Sequence, residues 1–200
     1  MLGVLLPAVC LPQAAVFSAD AVKAAFLYRF ASYVEWPADA PSDPLVIGVV
    51  GADEIADQLD QLLPRMTVHG KPAQVRRVSG TDELDGVHIL YVAPQAMKRT
   101  RTLRSAALAR PILLVTDVDD GLESGAVINF IEANRNVRFE ISLVAADRAR
   151  LKITSALLSV AARVERRPQA WSSCADPYVR RYPPGTCLMR VAAADSGIAR

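Results

Sequence analysis

The sequence predicts an α/β fold: a mostly parallel sheet flanked by helices on both faces, with an antiparallel hairpin near the C-terminal end. Three observations carry that expectation. Residues 45–50, 87–92 and 112–116 are short, continuous apolar runs rich in branched side chains, the pattern of strands buried on both faces. Stretches with apolar residues at helical spacing separate these runs. Residues 126–132 and 137–143 are two further strand-like runs, joined by Ala133-Asn134-Arg135-Asn136, a hairpin signal. With 200 residues, 52% hydrophobic and 22% charged, the chain is long enough to bury one sizeable core and is not a disordered one.

The first nineteen residues carry no charged side chain, and residues 2–11 are apolar. That run is shorter than the roughly 20 residues a membrane-spanning helix needs. It matches the apolar middle of a secretory signal peptide, with Ala19-Asp20-Ala21 as the small-residue site and cleavage near Val22, or one or two residues earlier. No Lys or Arg precedes it, so the alternatives are a basic segment lost upstream of Met1 or an apolar terminus. Cys10 would suit a lipoprotein, but Pro7-Ala8-Val9 is a poor lipid-attachment box.

Residues 22–36 form the first predicted helix, because Phe26, Leu27, Phe30, Tyr33 and Val34 recur at helical spacing and Pro37 ends it. Pro44 and Gly51 bound the strand at 45–50. Asp53 opens a short helix with Ile55, Ala56, Leu59, Leu62 and Leu63 inward. His69-Gly70 marks a turn before a short strand at 74–78. After the strand at 87–92, Pro94 stands at a first helical position and opens a helix reaching Leu108. Asp117-Val118-Asp119-Asp120-Gly121 is a polar turn following the strand at 112–116. Val137, Phe139 and Ile141 alternate with Arg138, Glu140 and Ser142, so that strand is expected to keep one wet face. A short helix near Ala145, a stub at 151–153 and a last helix over 155–164 complete the core, with Ile153, Leu157, Val160, Ala161 and Val164 inward. Beyond Arg166 the character changes. Pro168, Pro177, Pro183 and Pro184 break any periodicity, and from Arg163 on there are seven arginines against three acids. The expected organisation is a signal peptide at 1–21, an α/β domain at 22–166 and a Pro/Arg-rich tail at 167–200.

The chemistry the sequence withholds is informative. Gly48-Val49-Val50-Gly51 lacks the third glycine of a dinucleotide fingerprint, and there is no phosphate loop. A receiver domain would need a carboxylate after the strand at 87–92, where Ala93-Pro94 stands. Asp117, Asp119, Asp120 and Glu123 imitate a calcium loop, but the glycine comes one place early and Ile128 occupies the twelfth position. His69 and His88 have no partner at metal-ligand spacing, so structural roles are expected. No serine or cysteine sits in a nucleophile motif. A formal net charge of +2 gives no case for nucleic acid. Lys98, Arg99, Arg101 and Arg104 make one side of the third helix basic: a solvated face, or a docking surface for an acidic partner. Once Cys10 has left with a signal peptide, Cys174 and Cys187 remain, an even pair in an exported tail. A disulfide between them would contribute about 3 kcal/mol by chain-entropy estimates. Two free thiols are the alternative.

Val22-Lys23-Ala24-Ala25-Phe26-Leu27-Tyr28-Arg29-Phe30, followed by Val34-Glu35-Trp36-Pro37, resembles the opening of the YfiR-like periplasmic proteins. So do Ile128-Asn129-Phe130 and Val137-Arg138-Phe139-Glu140-Ile141, with Val68-His69-Gly70-Lys71-Pro72 between them in the expected order. The resemblance covers roughly residues 22 to 164. It implies an exported, non-catalytic α/β domain without cofactor or metal. Such a protein forms homodimers, binds the periplasmic region of a membrane-bound diguanylate cyclase and represses it, lowering cyclic-di-GMP, and an outer-membrane lipoprotein can sequester it. Two departures limit the transfer. The family's known repressor carries disulfides inside its core, whereas residues 22–164 here contain no cysteine, and the tail with Cys174 and Cys187 lies outside the family pattern. The partner-binding face expected here is the exposed side of the first helix (Lys23, Arg29, Glu35) with neighbouring sheet-end loops. A reading of another class is a periplasmic small-ligand sensor, with its ligand beyond the strand ends at Gly51-Ala52-Asp53, Ala93-Pro94-Gln95 and Thr116-Asp117.

Overall fold

The structure, a computed structural model, describes residues 18–40, 43–133 and 136–166. The chain divides into two units, Met1–Arg166 and Arg167–Arg200. The described residues all belong to the first; Cys174, Cys187 and residues 1–17 lie outside them.

The elements run α1 (Ala19–Ala31), β1 (Val34–Glu35), β2 (Leu45–Val50), α2 (Asp53–Leu62), β3 (Thr67–Val68), β4 (Lys71–Arg77), β5 (Ile89–Val92), α3 (Arg101–Leu108), β6 (Leu113–Thr116), β7 (Ile128–Ala133), β8 (Asn136–Ser142), α4 (Leu143–Arg148), β9 (Lys152–Ile153), α5 (Ser155–Val160) and β10 (Arg163–Glu165). The main sheet has the order β10-β8-β7-β6-β5-β2-β4-β3. From β4 to β7 every neighbouring pair is parallel, β7 and β8 form the antiparallel hairpin, and β10 lies parallel to β8. Taken in chain order, the parallel strands follow the 2-1-3-4-5 arrangement of one doubly wound class. The α/β class, the mostly parallel sheet and the C-terminal hairpin are therefore as the sequence predicts.

The all-buried strands explain the continuous apolar runs. In β2, Leu45, Ile47 and Val49 face one core together with α1 and α2, while Val46 and Val50 face a second core with Leu103 and Ala107 of α3. Gly48 sits between them because a Cβ there would lie 3.0 Å from Leu90 and 3.1 Å from Val78. The β3–β4 turn has positive φ at both His69 (52°) and Gly70 (77°), as a two-residue hairpin turn of the mirror-image type requires.

Three local readings are corrected. The first helix stops at Ala31, not Trp36: Val34 and Glu35 leave it to pair antiparallel with Ile153 and Lys152. The helix begun at Pro94 is broken into a 3₁₀ turn (Pro94–Ala96) and α3, which starts only at Arg101. The last helix ends at Val160, and Val164 belongs to the edge strand β10, paired with Ile141. The wet face expected for β8 is also absent over its second half: Glu140 and Ser142 are buried. Pairing with β10 covers that end of β8, and Asn129 of β7 and Arg163 of β10 hydrogen-bond the Glu140 carboxylate there.

Candidate functional site

α1 carries the candidate site because it is apolar over more of its surface than one packing face needs. Ala24, Leu27, Phe30 and Ala31 are buried against the sheet. Val22, Phe26 and Tyr33 remain only half-buried, and Ala25 is exposed. A helix apolar on two sides needs a second partner. Here the second side forms one wall of an open groove of about 710 Å³, with Gln58 and Leu62 of α2 and Ala156, Leu157 and Val160 of α5 on the others. Phe30 and Phe139 line it deeper in. The aromatic layer is interlocked by edge contacts: Phe30 lies edge-on to Phe139 at 5.0 Å between ring centroids, and Phe26 does the same at 5.4 Å. Val160 is 56% exposed at the rim, the most exposed large hydrophobic residue described.

The three residues expected to bind a partner separate in the fold. Arg29 is exposed and, among the described residues, is the single charged side chain lining the groove and has no ion pair. Glu35 is exposed but sits on β1, beyond the end of α1. Lys23 points elsewhere, making an ion pair with Asp117 at the end of β6, and only 17% of its side chain is exposed. Val160 was the residue that periodicity misplaced, as part of a buried stripe. The signal that could have located the groove was the apolar excess of α1.

Lys23 and Asp117 belong to a polar clasp that holds α1 over the strand ends. The Tyr91 hydroxyl donates to Asp117 Oδ2 at 3.4 Å. Burial, with the Asp117 and Asp20 carboxylates adding to it, pushes the Tyr91 phenol well above its ordinary value of 10.0. The folded chain therefore holds this proton longer than the unfolded one. Its contribution is present in full below the unfolded-state value and is lost as pH rises above about 10 towards the folded one. Tyr91→Phe should flatten that share of the alkaline loss of stability, read as a shallower fall in Tm between neutral and strongly alkaline pH.

At the end of β2, the first of the strand ends that a small-ligand site would use, protein atoms fill the space. The Gln95 amide donates to the Gly51 carbonyl oxygen, and the space beside Gly51 (φ 73°) is taken by the Ala96 methyl, 2.8 Å from where a Cβ would stand. At β6 and β7 a depression of about 640 Å³ is lined by Asp117, Asp119, Asp120, Glu132 and Glu140, with Arg163. Its floor is a closed hydrogen-bond set. Thr116 Oγ1 donates to Asn129 Oδ1 at 2.8 Å, and Asn129 Nδ2 donates to the Val118 carbonyl at 2.9 Å and to Glu140 Oε1 at 3.1 Å. Arg163 Nε donates to Glu140 Oε2 at 2.8 Å. Among the described residues no group of three or more metal-ligating side chains converges. The two histidines sit near one small cavity, where His88 Nδ1 accepts from the Val46 amide at 3.1 Å.

The residues that bind the domain together are those of the two end motifs: Phe26 and Phe30 from the first, Phe130 and Phe139 from the second, with Asn129 and Glu140 beside them. A family model described as YfiR/HmsC-like matches residues 20–162. The chain belongs to the YfiR/HmsC-like family. This family is regulatory rather than catalytic, periplasmic, and tied to cyclic-di-GMP signalling by diguanylate cyclases. No helix among the described residues is long and apolar enough to cross a membrane. Of the curated proteins, none matches. Among solved structures the chain is similar to a conserved domain protein of Vibrio cholerae, with 13% identity, 60% of this chain and 54% of that one covered, and a TM-score of 0.46. It is also similar to an ABC domain of Streptococcus pneumoniae in complex with L-Trp, with 11% identity, 60% and 55% covered, and a TM-score of 0.43. The chain thus spans about half the length of these solved chains.

Proposed function

We propose that this YfiR/HmsC-like protein is an exported, non-catalytic repressor that docks through the α1–α2–α5 groove on the periplasmic region of an inner-membrane signalling protein, a diguanylate cyclase, and lowers cyclic-di-GMP. The observation that carries the reading is the apolar side of α1 that no described element covers, walled into a groove with one charged side chain among the described residues, Arg29, at its edge. An apolar cleft with an aromatic floor suits an apolar segment of another protein better than a substrate that must be held by polar groups. Repression then follows from occupancy. The docked domain prefers the inactive arrangement of its partner and shifts the population, and turning a 1:99 equilibrium into 99:1 takes about 5.5 kcal/mol of differential affinity. The same reading includes a homodimer, and release of the partner when an outer-membrane lipoprotein sequesters the repressor.

The test is partner capture. The tagged protein is crosslinked in whole cells and the captured membrane proteins are identified. Recovery of a membrane diguanylate cyclase, with cyclic-di-GMP rising on deletion of the repressor, is the expected result. An exported and folded protein that brings down no membrane signalling protein would sink the reading.

A further inference from the structure

A second surface, away from the groove, is built for a different contact. Lys98, Arg99, Arg101 and Arg104 fall within seven positions that contain no acid. The first three are exposed, and none of the four takes part in an ion pair among the described residues. Elsewhere in the domain Arg77 engages Asp57 and Asp60, Arg110 meets Asp85 at 3.1 Å, Arg150 meets Asp39 at 3.0 Å and Arg163 meets Glu140, whereas Arg29, Arg65, Arg138 and Arg148 are exposed without an ion pair among the described residues but stand singly along the chain. Cations crowded at this spacing repel one another, and none of the described carboxylates forms an ion pair with them. On α3, Arg101 and Leu108 are seven residues apart and share one face, opposite the buried Leu103 and Ala107. Leu108 is 43% exposed.

We propose that this face of the protein rests on an anionic lipid surface. Headgroup phosphates would meet Lys98, Arg99 and Arg101, and the acyl boundary would take Leu108, so one environment satisfies both the free cations and the exposed leucine. An acidic protein segment would answer the charges but leave the leucine unexplained. The contact concentrates the protein at the membrane and does not involve the groove, so it stands or falls separately from partner docking.

The experiment is sedimentation of the full chain with phosphatidylcholine vesicles and with vesicles carrying phosphatidylglycerol, without any protein partner. Binding is expected to the anionic vesicles only and to weaken as salt is raised. The triple variant Lys98→Glu, Arg99→Glu, Arg101→Glu should bind at least about a hundredfold more weakly, at about fivefold or more per charge. Leu108→Ser should weaken binding while leaving its salt dependence. Should the triple variant fold poorly, Lys98→Gln with Arg101→Gln keeps the test, with an expected loss of about twenty-five-fold. Equal absence from both vesicle types overturns the proposal and leaves the patch to an acidic protein. An equal loss on reversing the exposed Arg65 and Arg148 also overturns it, because overall charge would then be responsible.

Discussion

Replacing Asn129 by Leu is expected to remove about 3–5 kcal/mol of folding stability, as breaking a buried charged network does. Asn129 is 1% exposed and uses both ends of its amide. Its oxygen accepts from Thr116 Oγ1 and from the Val118 amide at 3.2 Å, and its nitrogen donates to the Val118 carbonyl and to Glu140. A leucine would strand all of these, and the heaviest loss is at Glu140, whose side chain is only 9% exposed and would keep Arg163 alone. Asn129→Asp should be no rescue, since it sets a second carboxylate 3.1 Å from the first. Gly121→Ala tests the same network from the other side. Its Cβ would fall 2.1 Å from Asn129 Oδ1 and 2.6 Å from Thr116 Oγ1, so either the loop or the amide must move. Urea unfolding reads both variants, and the m-value should stay unchanged while the midpoint falls. A loss below about 1 kcal/mol in both variants would mean that water replaces the network at little cost.

That network shows where reading the sequence stops. Periodicity places β2 at 45–50, the bounds it has in the fold, because both faces of that strand are satisfied by apolar packing and apolar packing is what periodicity records. It misjudges Glu140, since alternation says only that a polar residue points away from its apolar neighbours. Whether that side meets water depends on Asn129, eleven residues away, and on an edge strand, β10, that looks like the end of a helix. Val164 and Val160 continue the helical spacing of Leu157, yet the chain turns at Ala161 and Val164 pairs with Ile141. Pairing across the sheet overrides local spacing there. The groove was half legible: the apolar excess of α1 is in the sequence, whereas its other walls come from Gln58, Leu62 and Val160, brought near only by the fold. Lys23 is the reverse case, a charge read as surface that serves inside, against Asp117.

The groove can be separated from the rest of α1 by single substitutions, and Ala25→Glu is the most informative of them. Ala25 is exposed and lines the groove, so a glutamate there leaves the helix intact, and the expected change in stability is within about 0.5 kcal/mol. It nevertheless puts a carboxylate where an apolar partner segment must seat, and desolvating that charge without a counter-ion should weaken partner capture by at least about thirtyfold. Val160→Glu, at the opposite rim, should act in the same way. Arg29→Glu should cost less, about tenfold, with much of the loss disappearing at high salt, because an exposed rim charge acts mainly on the association rate. Lys23→Glu is the contrasting case. It would place a carboxylate against Asp117 and loosen α1 itself, so Tm falls whether or not the groove is used. If Ala25→Glu and Val160→Glu retain full capture and full repression at unchanged Tm, the partner sits elsewhere on the domain. If they abolish both while Glu35→Lys changes neither, the docking surface is the α1–α2–α5 groove and not the far end of the first helix.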